Sequence, residues 1–133
     1  MKYTLIIHKD DNSDYGVTIP DLPGCFSAGL TLDESLENAE EAILTHIEGL
    51  LIDNEDIPKP KSLDFHKSKN PDKDIIWAVV NVDLLKLSGK SKRINITIPE
   101  RVLSKIDYYA SKEGETRSRF LVSAAMEYIH KHN

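Results

Sequence analysis

Residues Lys92 to Pro99 read Lys-Arg-Ile-Asn-Ile-Thr-Ile-Pro. Strict alternation puts Arg93, Asn95 and Thr97 on one face of a strand and Ile94, Ile96 and Ile98 on the other. The polar trio has the chemistry of base recognition: arginine forks onto guanine O6 and N7, asparagine pairs with adenine, and threonine hydrogen-bonds or touches a thymine methyl. The plainer alternative is the wet face of an amphipathic strand, yet a lone strand needs a partner. Further along, Thr116, Arg117 and Ser118 open a helix whose first N–H groups would clamp a phosphate. Lys92 adds a cation at the start of the strand and joins them as a phosphate-binding residue. Arg117 and Arg119 read otherwise as ordinary surface charges.

The remaining reactive side chains do not assemble a catalytic or metal-binding set. Asp10, Asp11 and Asp14 lie in a polar run whose residues suit a turn, and no second cluster of matching spacing accompanies them. His8, His46 and His66 lack ligand-like spacing and read as structural or surface residues. Cys25 is the single cysteine, which excludes an intrachain disulfide and a multi-thiolate zinc site. No local histidine or basic neighbour activates it. His130 and His132 fall in a tail expected to fray. The expectation is a protein with no metal, no cofactor and no enzymatic activity.

These residues sit in a chain of 133 residues, enough for one domain or two very small ones. With 40% hydrophobic and 29% charged residues, collagen, coiled-coil and wholly disordered readings are excluded. No run approaches the roughly 18 consecutive apolar residues of a membrane helix, and the N-terminus lacks the apolar stretch of a signal peptide, so no membrane association and a cytoplasmic location are expected. The charge is uneven. Residues 1–89 carry eight Lys/Arg against seventeen Asp/Glu, and residues 90–133 carry nine against five. An acidic body, at −9, precedes a basic tail, at +4, so polyanion contact belongs to the tail.

In the body, Tyr3 to His8 alternates and is rich in β-formers. Tyr15, Val17 and Ile19 share one face of a second strand, giving a hairpin. Pro20-Asp21-Leu22-Pro23-Gly24 breaks it, and Cys25 to Leu30 returns as a third strand. Thr31-Leu32-Asp33-Glu34 is a capping box, with Asp33, Glu34 and Glu37 suiting the helix dipole. Leu36, Ala39, Ile43, Ile47, Leu50 and Leu51 form the helical stripe that packs on the sheet. Asp53 to Lys61 reads as a loop, and Asp64 to Asp74 as loop or edge. Asp74 to Asp83 is the most strand-like stretch, and its composition predicts burial on both faces or in the sheet centre. The body is therefore β-β-β-α-β.

In the tail, Pro99 ends the strand and starts a helix with Val102, Leu103, Ile106 and Ala110 on one face. Gly114 suits a left-handed cap, and Phe120, Leu121, Ala124, Ala125, Tyr128 and Ile129 form the face of a second helix. Strand-helix-helix in about 40 residues leaves an orphan strand and too little core. Both problems vanish when two copies pair their strands and interlock their helices.

Two resemblances follow. Tyr15-Gly16-Val17 to Pro20-Asp21-Leu22-Pro23-Gly24-Cys25, then Ser27, Gly29, Thr31, Glu34-Ser35, Asn38-Ala39 and Glu41-Ala42-Ile43, resembles the N-terminal domain of HicB antitoxins over about 30 residues. That resemblance implies a partial RNase H-like fold and binding to a HicA-like toxin, a small mRNA interferase with a double-stranded-RNA-binding-like fold. An active RNase H-like nuclease gathers several carboxylates around two metals, and Lys2 to Lys9 has no internal acid. The tail resembles the ribbon-helix-helix architecture in its pattern and in Gly114-x-Thr116-Arg117-Ser118, which implies a β-ribbon in the major groove. Some HicB proteins carry a helix-turn-helix instead.

The sequence thus predicts an α+β protein: an N-terminal β-β-β-α-β partial RNase H-like domain (1–87), a linker (88–91) and a C-terminal ribbon-helix-helix (β-α-α) dimerisation domain (92–133). The expected function is that of a type II antitoxin that neutralises a HicA-like mRNA interferase by binding it and represses its own operon. Its expected partners are the toxin, operator DNA and a second copy of itself, as a homodimer or higher homo-oligomer. The rival reading is a stand-alone ribbon-helix-helix regulator with a sensory N-terminal domain.

Overall fold

The computed structural model describes residues 1–72, 74–87 and 91–132. They form two compact units, Met1–Val82 and Asp83–Asn133. Of the linker expected at 88–91, residues 88–90 lie outside the described residues.

The first unit runs β1 (Lys2–Lys9), β2 (Tyr15–Thr18), β3 (Phe26–Gly29), α1 (Leu32–Ile52), α2 (Leu63–Lys69) and β4 (Ile76–Asn81). Its four strands form one antiparallel sheet in the order β3-β2-β1-β4. With helices packed against an antiparallel sheet, the fold is α+β. The hairpin register sets Ile7 opposite Val17 and Lys9 opposite Tyr15. Tyr3, Leu5 and Ile7 share one face of β1 and are fully buried, as are Ala39, Ile43 and Ile47 of α1; this is the core.

Helix α1 starts where its cap lies: the Glu34 N–H donates to Thr31 Oγ1 at 3.1 Å. The helix comes so close to β3 that only glycine fits at position 29, where a Cβ would stand 2.5 Å from the Ser35 nitrogen. Asn38 then donates to the Ala28 carbonyl at 2.8 Å, covering part of the backbone of an edge strand. The apolar stripe stops short of its expected end. Leu51 is exposed, because a helix of 21 residues is about 30 Å long and outruns the sheet.

Two expectations for the body need correction. β4 is not central: it is hydrogen-bonded to β1 alone, and Ile76 (39%) and Val79 (46%) remain exposed. The centre belongs to β1, where Tyr3 to Ile7 are all buried. A β-branched composition reports fit to a pleated surface and carries no information on position in the sheet. The order is also β-β-β-α-α-β, since the stretch read as loop or edge holds α2. Ser62 caps it by accepting from the Phe65 N–H at 3.1 Å, and its seven residues are too few to establish a helical period.

The second unit contains a 3₁₀ turn (Leu84–Lys86), α3 (Glu100–Lys112) and α4 (Arg117–Lys131). Residues 91–99 form no regular element, because an isolated strand has no neighbour to satisfy its ladder. Gly114, at φ +70°, closes α3 in the left-handed conformation. Among the described residues no helix is long and apolar enough to cross a membrane.

Candidate functional site

Arg93, Asn95 and Thr97 are exposed, and so are Ile94 (67%) and Ile96 (59%) on the opposite alternation. Neither set has a strand beside it among the described residues. In the helices that follow, Leu103 and Ile106 of α3 and Phe120 and Leu121 of α4 are half-buried. Val102, Tyr128 and Ile129 remain exposed. Among the described residues of this unit, Ala110 alone is buried. The expected apolar faces therefore exist as stripes, and a single chain covers them only in part.

The start of α4 is built tightly. Thr116 is its N-cap, accepting from the Arg119 N–H at 3.2 Å, and the Phe120 N–H donates to the Thr116 carbonyl at 3.0 Å. The N–H groups of Arg117 and Ser118 fall in the first turn, ahead of the helical ladder. The Arg117 side chain is engaged: Nε and Nη2 donate to Asp107 Oδ1 and Oδ2 at 2.9 and 2.8 Å. This fork holds the Asp107 carboxyl below its ordinary value and raises the Arg117 guanidinium above its own. Arg119 Nε lies 2.9 Å from Asp83 Oδ2, while Asp83 Oδ1 accepts from the Leu85 N–H at 3.0 Å and caps the 3₁₀ turn. Neither arginine is a free surface charge. No hydrogen bond or ion pair among the described residues joins Lys92, Arg93, Asn95 or Thr97 to this turn.

Sequence reasoning missed both carboxylates. Asp107 precedes Arg117 by ten residues across a helix–turn–helix, a separation that no local periodicity flags. Asp83 could have been read as a cap ahead of Leu84-Leu85.

It missed a further pair in the first unit. His66 Nε2 lies 3.0 Å from Asp21 Oδ2, both side chains nearly buried, and Asp21 Oδ1 accepts from the Lys61 N–H at 3.1 Å. The pair ties α2 to the β2–β3 connection. Among the other buried polar groups of this unit are the Tyr3 hydroxyl, which has no hydrogen-bond partner among the described residues, and Cys25, whose thiol pKa burial pushes up. The Tyr3 pKa is raised chiefly by burial, with smaller contributions from Asp21 and Cys25. Among the described residues, no three of His, Cys, Asp and Glu are grouped to hold a metal ion.

Comparison with known proteins gives a consistent result. An uncharacterised 14.9 kDa protein of Haemophilus phage HP1 is 46% identical over 127 residues, covering 94% of this chain and 95% of its own. The crystal structure of the Burkholderia pseudomallei antitoxin HicB superposes with a TM-score of 0.84 at 43% identity, covering 96% of this chain and 98% of its own. A HicA3–HicB3 toxin–antitoxin complex matches over 62% of this chain and 99% of its own, with a TM-score of 0.50 and 31% identity. Residues 3–125 match the family described as HicB_like antitoxin of bacterial toxin-antitoxin system. The chain belongs to that family, a non-enzymatic one.

Proposed function

We propose that this antitoxin neutralises a HicA-like mRNA interferase by direct binding through its first unit and represses its own operon through its second. On this reading the first unit is a partial RNase H-like domain and the second is half of a ribbon-helix-helix dimer. The observation that carries the DNA-binding half is the alternating segment 92–98. Ile94 and Ile96 are exposed, the segment has no partner strand among the described residues, and the helices behind it close little core. A second copy supplies the missing strand and helices together. The ribbon then presents Arg93, Asn95 and Thr97 to base edges in the major groove. Lys92 and the N–H groups at Thr116, Arg117 and Ser118 grip the backbone.

The toxin-binding half is supported by the solved complex of a related antitoxin with its HicA toxin and by the net charge of −9 on residues 1–89. An acidic surface competes with RNA phosphates for a basic toxin. The test separates the two activities in the full chain. Arg93→Ala should weaken binding to upstream DNA by about 1–3 kcal/mol per base contact and relax base preference. The same variant should still rescue growth when a cognate HicA-like toxin is co-expressed. Loss of rescue in the folded variant, or unaltered base preference, refutes the division of labour.

A further inference from the structure

We infer that Arg117 is a positioning residue of the DNA contact: its guanidinium, forked onto Asp107, fixes the first turn of α4, and the main-chain N–H groups of that turn meet the phosphate in its place. The inference rests on the DNA-binding reading above and assigns the side chain a role within it. Both donors on the Nε–Nη2 edge of the guanidinium are aligned in the fork, at 2.9 and 2.8 Å, in the arrangement that makes arginine–carboxylate pairs geometrically specific. Moving the guanidinium to a phosphate would leave Asp107 unpaired beside an incoming polyanion, a like-charge contact that opposes binding. The charge of Arg117 is thus already balanced, and the bond it makes spans the Gly114 turn from α3 to α4.

Arg119 reinforces the assignment. Residues two apart on a helix point about 200° apart, so Arg117 and Arg119 reach out from opposite sides of α4. Each meets a carboxylate from a different element, Asp107 of α3 and Asp83 at the 3₁₀ turn. With Thr116 capping from the end, the first turn of α4 is held on three sides. Rigidity at this point matters because a main-chain N–H cannot reorient towards a phosphate as a long side chain can.

The test uses the full-length protein and the duplex upstream of its gene, with affinity measured across salt concentrations for Asp107→Asn, Arg117→Gln, the double variant and the swapped pair Asp107→Arg/Arg117→Asp. Thermal melts confirm that each remains folded. Both single variants should weaken binding to a similar degree, roughly three- to tenfold for two copies of an exposed pair. The double variant should be no worse than either, the swap should regain most of the loss, and the salt slope should stay that of the wild type. Asp107→Asn binding as tightly as the wild type, or more tightly, overturns the inference. So does an Arg117→Gln salt slope smaller by about two per dimer, the mark of lost phosphate contacts. A wild-type chain with no affinity for duplex DNA overturns the underlying reading and this inference with it. An active wild type with an unaffected Asp107→Asn overturns the inference alone.

Discussion

Replacing His66 by alanine should destabilise the first unit far more than the loss of one side chain on a seven-residue helix suggests. Asp21 accepts from two donors, His66 Nε2 at 3.0 Å and the Lys61 N–H at 3.1 Å, in a place almost without water. Alanine removes one donor and leaves the carboxylate half-satisfied. A lost hydrogen bond to a charged group is worth about 1.5–3 kcal/mol, and the upper end applies where the acceptor is left buried. We expect about 3 kcal/mol, a large part of the total for a unit of this size. His66→Gln, which keeps an N–H donor near the carboxylate, should cost about 1 kcal/mol. In an Asp21→Ala background, His66→Ala should cost less than in the wild type, because no stranded carboxylate remains. Trp77, the single tryptophan, lies on β4 and reports on this unit in urea titrations followed by fluorescence. A cost under about 1 kcal/mol with an unchanged m-value, or equal costs in both backgrounds, would refute the clamp.

Tyr3→Phe should stabilise the first unit by about 1 kcal/mol, since it removes a buried hydroxyl without a partner. Burial raises the Tyr3 pKa above its ordinary 10.0, so the folded state keeps the proton while the unfolded chain loses it; the wild type should weaken as pH climbs past 10, and Tyr3→Phe should weaken less, as read from urea midpoints against pH. Gly29→Ala should cost about 2–3 kcal/mol in the same titration, because its Cβ would meet main-chain atoms of Ser35 that cannot swing aside. Ile96→Asp should raise the dimer dissociation constant by well over about tenfold in analytical ultracentrifugation, because burying an isoleucine is worth about 1.5–3 kcal/mol and each dimer buries two; unchanged self-association would refute the ribbon.

What the sequence made legible was local. Thr31 capping Glu34, Gly114 closing α3 and Thr116 opening α4 each involve residues within three or four positions, and each appears where expected. The hairpin of β1 and β2 and the stripe Ala39, Ile43, Ile47 follow from periods of 2 and 3.6. Position within the sheet was not legible: the composition of β4 resembles that of a central strand, and its edge place is set by which strand β1 accepts on its free side. Nor was α2, under two turns long and anchored by Asp21, 45 residues from His66. At the candidate site the alternation of 92–98 was plain. The carboxylates facing Arg117 and Arg119 were invisible, because ion pairs across a helix turn or to a preceding 3₁₀ turn depend on tertiary placement.

The two units differ in how far a single chain completes them, and this bears on how the proposed activities respond to concentration. The first unit buries Tyr3, Leu5, Ile7, Ile43 and Ile47 with residues of its own and needs no second copy to form its core. The second leaves Ile94, Ile96, Tyr128 and Ile129 exposed. In the proposed dimer a second copy covers them, and stability gained that way rises with protein concentration. On the proposed reading, below the dimer dissociation constant the DNA-competent species grows as the square of chain concentration, while the toxin-competent species grows in proportion to it. On that reading, halving the chain concentration cuts the DNA-competent species about fourfold and the toxin-competent species about twofold.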